Sequence, residues 1–210
     1  MIRNVLISAF LLAVFGLTGA ALVATVHQGT QARIQANREA DTLERLHAIL
    51  PKGAYDNAIV QDTVHLSHPL LGGGERTVYR ARRDGQPVAA VFSVMAHGGY
   101  AGDIRLLVGV MADGRIAGVR VVEHHETPGL GDGIEAAKSD WILGFDGRAL
   151  GDPPREDWAV RRDGGIFDQF TGATITPRAV VEAVRDTLIY FGDHRDQVFA
   201  QNRQNPGEAP

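Results

Sequence analysis

The sequence of 210 residues contains no cysteine. Without cysteine a chain cannot form disulfides, hold iron–sulfur clusters or zinc through thiolates, attach a c-type haem or use a thiolate nucleophile. Any redox chemistry on this chain must therefore rely on a group other than cysteine.

The sequence also lacks an excess of positive charge. Lys and Arg total 21 against 25 Asp and Glu, which gives a formal net charge of −4. Binding of nucleic acid depends mainly on basic side chains that neutralise phosphates, so this balance argues against a nucleic-acid partner. Hydrophobic residues make up 44% and charged residues 22%, values typical of a globular chain that argue against disorder over most of its length.

Charged residues are absent from positions 4–32, and residues 5–26 are apolar apart from Ser8, Thr18 and Thr25. An α-helix over residues 5–26 would extend about 33 Å, enough to cross the hydrocarbon core of a bilayer. A cleaved signal peptide is the alternative, but its apolar region is expected to be only about 7–15 residues long. We therefore predict a single uncleaved transmembrane anchor at 1–26.

The rest of the chain predicts one acidic domain after a connecting segment. Residues 27–52 are largely polar and compatible with a helix, so we interpret them as a stalk or first helix that ends near Pro51. Residues 53–200 form the predicted domain, and the polar residues 201–210 a disordered tail. Removal of 1–26 removes one Arg and no acid, which leaves 20 basic and 25 acidic residues and a net charge of −5.

Two Asp-Gly pairs predict β-hairpins in this domain. The pairs lie at 84–85 and 113–114, and the flanking strands are predicted at 77–83, 87–94, 104–111 and 116–122. Because apolar residues crowd these strands, we expect a half-buried antiparallel sheet.

Helical signals follow the sheet. Asp132 and Glu135 resemble a capping box, which predicts a helix to about Phe145 with Trp141, Ile142 and Phe145 facing inward. Residues 158–162 are a candidate strand. Thr176 and Pro177 predict the N-cap and first position of a last helix. Its apolar positions follow helical spacing at Val180, Val181, Val184, Leu188 and Phe191. The predicted fold class is α+β, with an N-terminal transmembrane helix followed by a twisted antiparallel sheet and packed helices.

The segment DQFTGATIT at residues 168–176 has the features of an anion site. Three threonines and a glycine precede a helix N-terminus, where backbone N–H groups and the helix dipole favour a group such as phosphate. Gly172 and Ala173 have little side chain, so a ligand could approach the backbone closely. The alternative interpretation is an ordinary helix start, in which these residues satisfy only backbone groups.

The same segment resembles the flavinylation motif of the FMN-binding domain family. In that family a flavin transferase moves FMN from FAD onto a hydroxyl of the motif, and the corresponding residue here is Thr174. The sequence ETPGLG at 126–131 resembles a second signature of the family, and GYAGDI at 99–104 and KSDW at 138–141 extend the similarity. Two long motifs in the expected order make the resemblance specific.

The resemblance implies a set of cofactor-binding residues. Thr174 would carry FMN through its phosphate, and the surrounding motif would contribute Thr171, Gly172, Ala173 and Thr176. The 126–131 loop borders the flavin in the family, which implies further contacts from Glu126, Thr127 and Leu130. Asp168 is the acidic residue of the motif and would be recognised by the transferase, although an ordinary turn residue is an equal alternative.

With its N-terminal anchor, the chain as a whole is similar to the family of G subunits of Rnf-type electron-transport complexes. That similarity implies a covalent flavoprotein that relays electrons and is not a complete enzyme alone. It also implies the other membrane subunits of the complex and the transferase as partners, coupling of ferredoxin and NAD to ion translocation, and a domain on the periplasmic side of the bacterial inner membrane. The C subunit of the Na⁺-translocating NADH:quinone reductase and a non-redox membrane-anchored binding module are the alternatives.

No metal site is expected. His124 and His125 are adjacent, and neighbouring residues of a strand point to opposite faces, so the two rings do not easily share one ion.

Overall fold

A computed structural model of the chain describes residues 2–200, with the backbone alone at positions 5, 26, 28, 32 and 35. The chain divides after Thr42 into two compact units. The first unit is the greater part of helix α1 (Ile2–His47), which runs without a break through the boundary predicted near residue 26. Among the described residues it is the one helix long and apolar enough to cross a membrane. The predicted disordered tail lies outside the described residues.

The second unit is built on a five-stranded antiparallel sheet in which each strand pairs with the next along the chain. The strands are β1 (Thr63–Ser67), β2 (Glu75–Arg83), β3 (Gln86–Gly99), β4 (Gly102–Met111) and β5 (Ile116–Glu123). Both predicted hairpins are confirmed. Asp84 and Gly85 take positive φ angles of 51° and 74°, as a tight two-residue hairpin turn requires. The sequence did not predict β1, which is short and presents exposed polar residues such as His65.

The prediction of a half-buried sheet is wrong for the central strands, because both faces are covered. On one face the side chains of Leu106 and Val108 join the core beneath helix α2 (Ile175–Phe199). On the other face Leu107 packs against the segment that begins with Leu46 and Ile49. The lack of a clean apolar–polar alternation in β3 and β4 is the sequence signal for this two-sided burial.

The region between the sheet and α2 contains short 3₁₀ turns where a longer helix was predicted. Residues Asp132–Ile134 and Asp140–Phe145 form two separate turns, although Ile142 and Phe145 are buried as expected and Trp141 is half-buried. The capping box does not form, because the Asp132 carboxylate accepts the Gly129 N–H. The predicted partner at the box's far end, Glu135, instead contacts a histidine described below.

The candidate strand at 158–162 is also wrong. Only Val160 makes a β-bridge there, with Phe167. A 3₁₀ turn lies on each side, at Arg155–Asp157 and Arg161–Asp163. The left-handed Gly164 that follows the second turn reverses the chain and prevents a longer extended segment.

A close contact on the face of the sheet opposite α2 gives a test of the two-sided burial of the sheet. Gly109 and Gly118 face each other across β4 and β5, and Ile49 lies over them. A Cβ at Gly109 would overlap Ile49 Cγ2, whereas one at Gly118 would stand at an ordinary 3.5 Å from it. We expect Gly109→Ala to lower the free energy of unfolding by about 1–3 kcal/mol through overpacking.

Gly118→Ala is the matched control for chemical denaturation and should change stability by no more than about 0.5 kcal/mol. In an Ile49→Ala background the loss caused by Gly109→Ala should shrink, because the overlapping methyl group is gone. Equal losses from the two glycine substitutions would contradict the packing described here.

Candidate functional site

The two motifs found in the sequence lie side by side at the N-terminus of α2. The helix begins at Ile175, directly after Thr174. Gly172, with φ of 81°, lies so close to the 126–131 loop that a Cβ there would stand 3.7 Å from Leu130 Cδ2. Residues separated by about forty positions in the chain therefore form one surface region.

Thr174 occupies the N-cap position of α2, not Thr176 as predicted. Thr174 is half-buried, and its side chain makes no capping hydrogen bond to the helix. Pro177 is consequently the third helical residue, which is tolerated because the first-turn N–H groups have no partner within the helix. The Thr174 hydroxyl is therefore not used to start the helix.

Thr176 is fully buried and directs its hydroxyl to the neighbouring motif. Its Oγ1 donates a hydrogen bond to Oε2 of Glu126, which is itself only 5% exposed. The backbone N–H of Ala101 donates to Glu126 Oε1 at 3.0 Å. The prediction that Thr176 caps the helix is wrong because α2 already begins at Ile175, which makes Thr176 its second residue.

His124 binds the same glutamate through the backbone N–H of Glu126. The Glu126 N–H donates to His124 Nδ1 at 3.0 Å, and His124 Nε2 lies 3.0 Å from Glu135 Oε1. A backbone N–H can only donate, so Nδ1 is the unprotonated nitrogen and Nε2 donates to the Glu135 carboxylate. This use of Glu135 also explains why the predicted capping box is lost.

Two glycines make room for the buried carboxylate. A Cβ at Gly131 would stand 2.6 Å from Glu126 Oε2, and one at Gly99 would stand 2.8 Å from Oε1. Both distances are below ordinary van der Waals contact, so any larger residue would displace the carboxylate. Close packing thus requires Gly99 in the 99–104 motif and Gly131 in the 126–131 motif.

An open groove of about 710 Å³ lies beside the loop at 168–174, called here the acceptor loop because it carries the predicted acceptor Thr174. Its walls combine apolar side chains with hydrogen-bonding groups, among them Pro128, Leu130, Lys138, Gln169, Phe170 and Thr171. The Lys138 ammonium lies 3.7 Å from the mostly buried Asp132 carboxylate, which places a cation at the rim. A groove of this size and mixed lining is within the range of small-molecule binding sites.

Aromatic packing anchors the loop that carries the predicted acceptor. The rings of Phe170 and Trp141 meet edge to face at 5.3 Å, and Trp141 Nε1 donates to the Asp168 carbonyl at 2.7 Å. Trp141 in turn contacts Phe145 in the buried core. The Asp168 carboxylate pairs with Arg161 at 3.0 Å, with both side chains 65% exposed.

The remaining predicted residues lie at the surface of the same region. Thr171, Gly172, Thr127 and Leu130 are exposed, and Ala173 is half-buried. Sequence reasoning missed the contact from Ala101 and the groove residues Phe170 and Gln169. The similarity at GYAGDI, which contains Ala101, was a signal for that contact. Phe170 and Gln169 lie inside the 168–176 motif, which was a signal for these groove residues. The described residues include no group of three or more His, Asp or Glu arranged to hold a metal ion.

The turn that brings Ala101 to Glu126 is fastened by His97, and this contact predicts a pH dependence. His97 Nδ1 lies 2.9 Å from Asp103 Oδ1, and Nε2 lies 2.9 Å from the Gly72 carbonyl oxygen. Both partners are acceptors, so the contact is complete only when both ring nitrogens carry a proton and the ring is charged. The hydrogen bond to Asp103, with help from the one to Gly72, raises the pKa of His97 above 6.5, against the opposing effects of burial and of Arg76.

Because the pKa of His97 is higher in the folded state, the contact stabilises the fold fully below about pH 6.5 and is lost as the pH rises through the folded pKa. An NMR titration should place the pKa of His97 above that of an unperturbed histidine, and Asp103→Asn should lower it. Identical titration curves for the two proteins would refute the assignment of a charged ring.

Comparison with known proteins first defines the class of the folded unit. The model of the FMN-binding domain family matches residues 99–189, which include the Glu126 loop, the acceptor loop and most of α2. The model of the RnfG N-terminal region matches residues 1–49, which cover α1. The chain therefore contains an FMN-binding domain, which follows an N-terminal region similar to that of RnfG proteins.

Three relatives identify the family more narrowly, because each is named as the G subunit of an ion-translocating oxidoreductase complex. The protein from Pseudomonas aeruginosa strain UCBPP-PA14 is 52% identical over 94% of both chains. The protein from Pseudoalteromonas atlantica is 43% identical over 94% of this chain and 93% of its own. The protein from Vibrio cholerae strain M66-2 is 42% identical over 96% of both. The chain belongs to the family of G subunits of ion-translocating oxidoreductase complexes.

The family assignment confirms the resemblance noted from the motifs. Among the predicted alternatives it supports an Rnf-type G subunit, since the matched N-terminal region and the relatives named above are those of the RnfG family. The predicted fold class, α+β with an antiparallel sheet and an N-terminal apolar helix, is likewise confirmed.

Proposed function

We propose that this chain is a membrane-anchored electron-transfer subunit that carries FMN covalently on Thr174. The observation that carries the proposal is the position of Thr174 within the flavinylation motif. Thr174 stands at the N-cap of α2 and its side chain makes no capping hydrogen bond, while Thr171 of the same loop lines a groove of ligand size. A helix N-terminus also favours the negative charge of a phosphate ester.

The attachment is a transfer of FMN from FAD, performed by a flavin transferase. The Thr174 oxygen forms a bond to the flavin-side phosphorus, the pyrophosphate bond of FAD breaks, AMP leaves, and the hydroxyl proton is released. The product is a phosphodiester with about one negative charge, compared with 1.5–2 for a monoester near neutral pH. The loop must reach the transferase, and the exposure of Thr171, Gly172 and Asp168 supports such access.

The groove supports binding of the ring system of FMN. Phe170 and Leu130 offer apolar surface for the isoalloxazine, while Gln169 and Lys138 offer donors for its nitrogen and oxygen atoms. Gly172 allows the ligand to pass close to the backbone between the acceptor and the groove. A covalent bond means that the cofactor has no dissociation equilibrium and is retained outside the cytoplasm.

Bound FMN supplies one- and two-electron redox chemistry, which suits a relay between carriers of different electron number. The chain's own residues would bind and orient the flavin and limit its contact with water. The relatives are named as one subunit of an ion-translocating oxidoreductase complex, which supports the other subunits of such a complex as partners. We propose that the complex couples electron transfer between ferredoxin and NAD to ion movement, with this chain as one relay and not as a complete enzyme.

Helix α1 is the proposed membrane anchor. Large apolar side chains of this helix are exposed, among them Phe10 at 68%, Phe15 at 78% and Leu22 at 66%. Exposure of such side chains is unfavourable in water but not in lipid. The hydroxyls of Thr18 and Thr25 donate to carbonyl oxygens four residues earlier at 2.7 Å, so neither is left without a partner in an apolar medium. We propose a single-pass protein of the bacterial inner membrane with its domain on the periplasmic side.

Expression of the full chain with and without a flavin transferase tests the flavoprotein assignment. After denaturing electrophoresis of the membrane fraction, the band should fluoresce as a flavin only when the transferase is present. A dark band despite an active transferase would exclude a covalent flavoprotein and favour a non-redox binding module. A reporter fused to the C-terminus would show a periplasmic position, and a cytoplasmic signal would overturn the proposed orientation.

A further inference from the structure

Glu126 joins three segments of the domain that are distant in the sequence. Its Oε1 accepts from the Ala101 N–H in the turn between β3 and β4, and its Oε2 accepts from Thr176 in the first turn of α2. Its own N–H is held by His124 at the end of β5. The side chain is 5% exposed, so these bonds form away from solvent.

Neither partner of the Glu126–Thr176 hydrogen bond is open to a ligand. Both carboxylate oxygens already accept hydrogen bonds from the protein, and Thr176 is fully buried. Among the described residues, those that line the groove begin at Pro128 on this loop and end at Thr171 on the other, and include neither Glu126 nor Thr176. A flavin in the groove would therefore contact the ends of the two loops and not this buried pair.

We infer that Glu126 and Thr176 are positioning residues, which hold the first turn of α2 against the 126–131 loop and thereby fix the place of the Thr174 hydroxyl. The inference rests on the proposed function, because it takes Thr174 as the acceptor. Thr176 lies in the first helical turn, two residues after Thr174, so a shift of that turn moves the acceptor oxygen. A displacement of about 1 Å in a reacting group can cost on the order of a hundredfold in rate.

Removal of the Thr176 hydroxyl without loss of side-chain volume distinguishes the positioning role from a role in core packing alone. In Thr176→Val the volume is kept, but Glu126 Oε2 loses its donor in a buried place. A buried carboxylate without a donor is costly, so it must reorient or admit water, and either change moves the start of α2. We expect the initial rate of flavin transfer to Thr174 to fall at least tenfold. Thr176→Ser, which retains the hydroxyl, should restore most of the rate.

Thr187 provides the matched control in the same helix. It is also fully buried, but its hydroxyl donates to the Ala183 carbonyl oxygen within α2 at 2.7 Å. Thr187→Val therefore removes a buried hydroxyl without affecting Glu126. Its rate of flavin transfer should stay within about twofold of the wild type.

The experiment uses the full chain in detergent, a purified flavin transferase and FAD, and follows covalent fluorescence with time below the unfolding temperature of each variant. If Thr176→Val does not fold, Thr176→Ala supplies a smaller variant that also lacks the hydroxyl. The absorption spectrum and reduction potential of the flavin attached after long incubation are the second readout, and both should match the wild type.

The possible results distinguish the inference from the proposed function. A wild-type rate in the folded variants without the hydroxyl, or an equal loss in Thr187→Val, would overturn the positioning role. A shifted flavin potential at an unchanged rate would also overturn it, because Thr176 would then act on the bound ring. Failure of the wild-type chain to take up flavin would refute the proposed function instead, while wild-type labelling at Thr174 with slow labelling of Thr176→Val supports both.

Discussion

Replacement of Thr174 by alanine is expected to abolish covalent flavin incorporation, because it removes the oxygen that would carry the phosphoryl bond. The fold should survive, since the Thr174 side chain makes no capping hydrogen bond and is only half-buried. Denatured Thr174→Ala chain produced with a flavin transferase should show no flavin fluorescence. Thermal unfolding should show that the variant protein remains folded.

Thr171→Ala is the matched control within the same loop. Thr171 is exposed and lines the groove, so its loss should slow modification through weaker positioning without removing the acceptor. The Thr171→Ala band should remain fluorescent after prolonged incubation with the transferase. A fluorescent Thr174→Ala band, or a permanently dark Thr171→Ala band, would move the acceptor assignment to another residue.

Replacement of Asp62 by alanine should cause a large loss of stability. Arg80 is only 3% exposed, and its Nε donates to Asp62 Oδ1 at 2.6 Å while Nη1 donates to the Ala200 carbonyl oxygen. Asp62 also pairs with Arg82, which donates to the Phe199 carbonyl oxygen. Without the carboxylate a guanidinium is left buried and unpaired, which costs about 3–5 kcal/mol.

An exposed ion pair on the same sheet provides the comparison for that loss. Arg105 and Glu123 lie 3.1 Å apart with side chains 47% and 52% exposed. Glu123→Ala should therefore change the free energy of unfolding by about 0–1 kcal/mol. Urea denaturation of both variants measures the difference. Similar losses for the two would show that burial of Arg80 does not determine the cost.

The parts of the fold that could be predicted are those determined by residues close together in the sequence. The Asp-Gly turns define both hairpins because a two-residue turn requires positive φ angles that Asp and Gly tolerate. The buried positions of α2, such as Val184 and Leu188, follow from helical spacing alone. The apolar stretch in α1 is equally direct, since its length and lack of charge set it apart from the rest of the chain.

The wrong predictions concern polar side chains whose partners in the structure differ from those that the sequence pattern indicates. Asp132 and Glu135 form a convincing capping box in sequence, but the Asp132 carboxylate binds the nearby Gly129 N–H and the Glu135 carboxylate binds His124, eleven residues away. Thr176 fits the pattern of a cap because Pro177 follows it, yet it lies inside the helix and its hydroxyl donates to Glu126 from fifty residues away. Such pairings depend on the meeting of loops that only the folded sheet brings together.

The candidate site shows the same division. The sequence motifs predicted both loops and a candidate acceptor position, and the two loops lie side by side in the structure. The groove beyond the acceptor depends on where Phe170 and Lys138 come to lie relative to Leu130, which periodicity does not reveal. The buried role of Glu126 is also invisible in the sequence, because three separate segments together leave only 5% of this residue exposed.

Mass spectrometry of the protease-digested protein tests the central claim most directly. Trypsin cleavage after Arg162 and Arg178 yields a peptide of residues 163–178 that contains Thr171, Thr174 and Thr176. In protein made with a flavin transferase, this peptide should gain the mass of one FMN less one water, and fragmentation should place that mass on Thr174. An unmodified peptide, or the added mass on Thr171 or Thr176, would contradict the account.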